Sequence, residues 1–358
     1  MYQFQHWKKN SRICCFNSGE VIHYTVNLKD NQVSQRHCNT FIIALASSRF
    51  ICSSFNSGVR IIATSSSSQV KEVSCTRWKE IQETVQYHAS MSALLKAPTI
   101  FRFLNPPMAS LPQEFSIGER GDDMIDEDLR QAHRIIKAAV PTGVTPLSKH
   151  IMQVKEEVEL LAPSLRSQGR RIALILATDG LPSDDRGCSD EGVQQEFTNS
   201  LRSLEGLPLW IVVRLCTNDS TVVDYYNELD SQLELSIEVL DDFKSEATEM
   251  HATNPWINYT LQIHRMRELG FQHRIFDLLD ERKLTISELR EYCFLLFGDS
   301  NFDGVPEPEV NFKGFLSALD RMMKTEDKQW HPLKKELRSL VSLKKLSDIY
   351  GDGACVIM

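Results

Sequence analysis

The clearest pattern in the chain lies between residues 75 and 245, where short apolar runs alternate with stretches whose apolar positions recur at helical spacing. In "CTRWKEIQETVQYHASMSALLKA", Trp78, Ile81, Val85, then His88 or Ala89, and Ser92 fall three or four apart, and Pro98 closes the segment, which predicts a helix. A strand-like "TIFRFLN" follows at 99–105, then a short strand around "EFSIG" and a one-sided helix from about Asp126 to Ala139. After "PTGVTPL" a second amphipathic helix is predicted from Leu147 to Leu161. "RRIALILATDG" is then apolar at successive positions, the mark of a central parallel strand covered on both faces. The alternation repeats with a helix near 190–204, a strand "PLWIVVRLCT" at 208–217, a helix near 221–229 and a strand "LSIEVLDD" at 235–242. Strands and helices in this order predict an α/β fold on a doubly wound, mostly parallel sheet.

The flanks read differently. Residues 1–70 are a poorly defined N-terminal segment in which β-like runs ("VIHYTVNL", "TFIIAL", "VRIIAT") are broken by "SSFNSG" and "SSSS". Beyond about residue 250 only helices are predicted, including "FQHRIFDLLD", "TISELREYCFLLFG", "FKGFLSALDRMM" and "HPLKKELRSLVSLKKL". The expected organisation is thus an N-terminal segment over 1–70, a sheet domain over 71–250, a helical C-terminal region over 251–346 and a flexible tail over 347–358.

Composition narrows the function. A formal charge of −8 over 358 residues argues against a general affinity for nucleic acid, because phosphate binding needs concentrated Lys and Arg. The nine cysteines contain no CxxC pair, so no zinc module is expected and a reducing compartment suits the chain. The longest apolar candidate, "TFIIALASS", is too short for a membrane span.

Two residues are placed for chemistry. Asp179 lies at the carboxyl end of the central strand, where ligands collect in open parallel sheets, and Thr145 heads the helix after the "TGVTPL" loop, with Pro146 expected at the first helical position. One carboxylate and one hydroxyl form an oxygen-only set that suits a hard cation, Mg2+ or Mn2+. The bland readings are a simple Asp-Gly turn and a helix cap.

At these residues the chain resembles the von Willebrand factor type A domain, over roughly residues 75 to 245. "TGVTPL" looks like that family's Thr element and "LATDG" like its Asp element. The resemblance implies that Thr145 and Asp179 face a metal ion, directly or through water, and that an acidic residue of a protein partner completes the coordination at the strand-tip face. The family's Asp-x-Ser-x-Ser loop is absent. Its nearest remnant, "FICSSFNSG", keeps Ser53 and Ser54 but has Phe50 where the Asp is expected, so Ser54 is the third candidate ligand and "FIIALA" the candidate replacement for the central strand.

The chain ends "GDGACVIM", in which Cys355 fits a C-a-a-X signal for a farnesyl group. One lipid chain anchors only marginally, so a second signal is expected. Lys328, Lys334, Lys335, Arg338, Lys344 and Lys345, with Leu333, Leu337, Leu340 and Val341 as an apolar helical stripe, would supply it at an anionic membrane surface. The alternative is a solvated helix packed on its own domain. "DSNFDGVPEPEV" starts like a calcium loop but ends in Val310 rather than Glu, with Pro306 and Pro308 stiffening it.

These features predict a non-enzymatic, adhesion- or scaffold-type binding protein, lipid-anchored at the cytoplasmic face of a membrane. The alternatives are a metal-dependent phosphoryl-transfer or hydrolytic enzyme using Asp179, and a substrate-recruiting subunit of a larger complex. Neither GxxxxGK[ST] nor G-x-S-x-G occurs to favour an enzyme.

Overall fold

A computed structural model describes residues 41–45, 58–63, 70–107, 110–217, 219–271 and 273–351. The chain is a mixed α/β protein with a largely parallel sheet. The first strands are β1 (Phe41–Leu45), β2 (Gly58–Ala63) and β3 (Val70–Cys75), followed by helix α1 (Arg77–Leu95) and strands β4 (Thr99–Phe103) and β5 (Glu114–Ile117). Next come α2 (Ile125–Ala138), α3 (Leu147–Ser167), β6 (Ile172–Thr178), α4 (Glu191–Arg202), β7 (Leu209–Leu215), α5 (Ser220–Gln232) and β8 (Ile237–Leu240).

The local chemistry explains most of these limits. Helix α1 starts where the Thr76 side chain accepts from the Lys79 N–H at 3.2 Å, and it stops where Lys96 turns left-handed at φ 53°. Helix α3 outruns its predicted end at Leu161 to include Pro163, because Ala162 and Leu165 are buried and hold the extra turn. In α3, Pro146 is the capping residue rather than the first helical one.

Six strands form one sheet in the order β5-β4-β1-β6-β7-β8, with β5 antiparallel and the rest parallel. The "FIIAL" run supplies β1, whose Ile42 lies opposite Ile100 on one side and Leu174 on the other. Both β6 and β7 are buried at every position, as a strand covered on two faces must be. Strands β2 and β3 form a separate antiparallel pair; β3 was not predicted, since "VKEVSC" is too polar to stand out.

After β8 the chain continues with α6 (Phe243–Thr253), α7 (Leu261–Glu268), α8 (Arg274–Glu281), α9 (Ile286–Phe297), α10 (Asp299–Phe302) and α11 (Phe312–Thr325). It ends in β9 (Gln329–His331), β10 (Glu336–Arg338) and α12 (Leu343–Tyr350). Residues such as Trp256, Tyr292, Phe315 and Leu319 build a second apolar core here, distinct from the one around the sheet that contains Val85, Ile151, Leu176 and Val213.

The expectation of helices alone after residue 250 is therefore corrected. "QWHPLKKELR" at 329–338 is an antiparallel hairpin in which Leu337 lies opposite Trp330, and Lys335 takes a left-handed φ of 54° in its turn. The spacing of Leu333, Leu337, Leu340 and Val341 imitated a helical stripe, but Pro332 and the turn break it. Among the described residues no helix is long and apolar enough to cross a membrane.

Candidate functional site

Strand β6 delivers Asp179 to a turn held from several sides. The Gly180 N–H reaches the Thr178 hydroxyl at 3.3 Å, and that hydroxyl and the Tyr226 hydroxyl both donate to the Gly180 carbonyl, at 3.0 and 3.1 Å. Just beyond β7, the Cys216 N–H donates to the Thr178 carbonyl at 2.7 Å. Asp179 itself is half-buried.

The loop bearing Thr145 is fastened by residues that sequence reasoning missed. Asn105, two residues past β4, donates from its amide to the Val144 carbonyl at 2.6 Å and accepts the Val144 N–H at 3.4 Å. Gly143 lets the loop pass over that amide: its φ is 87°, and a Cβ there would collide with the Asn105 side chain.

A second fastening joins the two loops to each other. The Thr145 N–H donates to the Ser183 hydroxyl at 2.9 Å, and the Ser183 N–H donates to the Thr145 carbonyl at 2.9 Å. This reciprocal pair lashes the Thr145 loop to the loop that follows Asp179. Thr145 is only 6% exposed. The one available signal was positional, since Asn105 and Ser183 are short polar residues next to strand ends.

Asp184 fastens its own loop. Its carboxylate accepts the Arg186 and Cys188 N–H groups, both at 2.8 Å, and these bonds, that to Cys188 foremost, hold its pKa below the usual value. The start of α4 is capped by Asp190 instead, which accepts from Val193.

The chemistry of this donor set is limited. Thr145 and Asp179 offer hard oxygen donors with a single negative charge, and among the described residues no three His, Cys, Asp or Glu side chains are grouped to hold a metal ion. The third candidate ligand, Ser54, lies outside the described residues, as does Cys355 at the other end.

Beside the strand tips lies a buried charge cluster that the sequence reading did not anticipate. Arg214, on the otherwise apolar β7, extends Nε to a Glu268 oxygen at 2.9 Å and an Nη to Glu80. Glu80 also pairs with Arg77 at 3.0 Å, and Arg77 lies 3.7 Å from Asp242. Glu268 takes Arg265 at 2.7 Å and lies 3.3 Å from His264 and 3.7 Å from His88. Burial alone would raise the Glu268 carboxyl, but Arg265 and the neighbouring histidines outweigh it and hold the pKa well below the usual range. For Glu80 the same contest is won by Arg214 and Arg77.

A neighbouring knot centres on Arg267, which bonds to Glu238 at 2.9 Å, to Glu246 and to the Tyr259 hydroxyl at 3.3 Å. Burial pushes the Glu238 carboxyl up to about 7, because its arginine is shared with Glu246. Both knots tie α7 to the strands. Burial pushes the Cys216 thiol up to about 11.

No protein-family model matches this chain, and no curated protein does.

Proposed function

We propose that the chain is a non-enzymatic protein-binding protein of the von Willebrand factor type A kind, with a doubly wound sheet domain over residues 71–250 and a helical region over 251–346. The sheet order β5-β4-β1-β6-β7-β8 supports this reading, since it reverses direction between β1 and β6 and makes a topological switch point there. Asp179 follows β6 at that point, and the partner surface is the pair of loops around Thr145 and Asp179.

The observation that carries the reading is the reciprocal Thr145–Ser183 hydrogen-bonded pair, which makes one preorganised face out of two loops 38 residues apart. The ligand for this face is an acidic side chain of a protein partner. Mg2+ or Mn2+ bridges it only if residues 46–57, including Ser54, add oxygen donors. A farnesyl group on Cys355 holds the protein at the cytoplasmic face of a membrane.

Partner capture by the full chain, with and without EDTA, tests the binding half. Thr145→Ala and Asp179→Ala should each lose the partner while keeping the circular dichroism of the parent; undiminished capture by both would overturn the reading. Metabolic labelling with a farnesyl analogue tests the anchor, and incorporation that survives Cys355→Ser would refute it.

A further inference from the structure

The basic residues of the C-terminal region do not form the helical stripe that their spacing suggested; the hairpin sorts them into two groups. Lys335 turns away and pairs with Glu72 of β3 at 3.3 Å, and is thereby neutralised. Lys345 instead lies against His251 of α6, which packs on His331 of β9, and the charges of Lys334 and Arg338 act on His331 as well. The rings of these histidines meet edge to face with centroids 5.8 Å apart. The Lys345 ammonium lies 3.5 Å from His251 Nε2 and is held by the Pro255 carbonyl at 2.7 Å, while the Lys334 N–H reaches His331 Nδ1 at 3.4 Å.

The electrostatics of this cluster is one-sided. His331 is pushed down to about 4, first by burial and then by the positive charges of Arg338, Lys334 and Lys345 and by His251. Burial and the charges of Lys345 and Lys334 likewise lower His251, and burial with Lys334 and Arg338 lowers Lys345. The acid at hand is Glu336, bound to Arg338 Nε at 2.6 Å. Three permanent cations against that one carboxylate leave an excess of two, beside two histidines whose pKa values are lowered by burial and then by these charges.

Like charges gathered at a folded surface are costly unless an anion relieves them. The excess matches a phosphomonoester, whose charge near neutral pH is about −1.5 to −2, better than the single charge of a carboxylate or phosphodiester. Lys334 and Lys345 supply point charges suited to a phosphate, and Arg338, held by Glu336, adds its charge beside them.

We propose that His251, His331, Lys334, Arg338 and Lys345 form a binding site for a phosphomonoester group, carried by a lipid headgroup or by a soluble phosphate compound. The site is independent of the strand-tip reading and of any modification at Cys355. Phosphate entering it offsets the repulsion from Arg338, Lys334 and Lys345 that adds to burial in lowering His331, so the His331 pKa rises as the anion binds.

Inorganic phosphate is titrated into the full chain at constant ionic strength while the His331 ring is followed by NMR, and vesicles bearing a phosphoinositide monoester are compared with phosphatidylserine vesicles of equal charge. Phosphate should raise the His331 pKa. Lys334→Gln and Arg338→Gln, both at exposed positions, should each weaken phosphate binding about tenfold without unfolding the protein. Lys335→Gln should leave binding unchanged. Preference for the monoester vesicles identifies a lipid source, and binding of inorganic phosphate without vesicle binding identifies a soluble one; either supports the site. A His331 ring that does not respond to phosphate, or equal weakening by Lys335→Gln, overturns it.

Discussion

The Arg214 guanidinium and the Glu268 carboxylate meet at 2.9 Å with side chains 3% and 0% exposed, joining a central strand of the sheet to helix α7. Breaking such a pair from one side leaves a buried charge without its partner. Arg214→Met should therefore cost about 3–5 kcal/mol of stability. Urea midpoints check this, and Arg130→Met, which removes a surface pair with Glu127, should leave the midpoint unchanged.

Glu238 gives a pH dependence of definite sign. Its pKa is raised to about 7 when folded against 4.5 in the unfolded chain, so the folded state holds the extra proton between those values. Its contribution is complete below about pH 4.5 and is lost as pH rises through 7. Glu238→Gln fixes the neutral form, and the variant should gain stability relative to the parent at pH 8 compared with pH 5. Chemical denaturation at the two pH values reads the difference; a constant offset would contradict it.

Glu288 has the opposite sign. In the capping box of α9 it accepts the Thr285 N–H at 2.9 Å and a two-pronged contact from Arg282, and its pKa is lowered to about 2, chiefly by the Arg282 bonds. Stability from this group is present above pH 4.5 and fades as pH falls toward 2. Thr285→Ala should cost about 1 kcal/mol. Glu288→Gln should flatten this part of the acid limb in a thermal-melt series.

Gly143 and Gly169 separate backbone strain from contact. Both have positive φ, 87° and 63°, but a Cβ at Gly169 meets open space while one at Gly143 meets Asn105. Gly169→Ala should cost about 1–2 kcal/mol from its left-handed backbone. Gly143→Ala should cost more and also weaken partner capture, since the Thr145 loop must shift. Equal losses in melting and binding assays would show that the Asn105 fastening is unimportant.

What could be read from the chain follows physical range. "RRIALILATDG" is legible because a strand covered on two faces must be apolar throughout, and β6 is buried at all positions. Arg214 was equally visible inside "PLWIVVRLCT", yet its partners Glu80 and Glu268 lie 134 and 54 residues away, and no local period marks a distant ion pair. The hairpin at 329–338 was misread because four apolar residues at mixed spacing satisfy a helical template, whereas the deciding feature is the turn at Lys335. At the strand tips, Thr145 and Asp179 were legible as residue types in loops, but the fasteners Asn105 and Ser183 carry no periodicity.

Helix α12 also sets a mechanical limit. Its last residue, Tyr350, donates its hydroxyl to the Leu284 carbonyl at 2.7 Å, and the Lys283 ammonium sits 4.5 Å above its ring while bonding to the Ile349 carbonyl at 3.1 Å. The chain thus leaves the helical core from a fixed post.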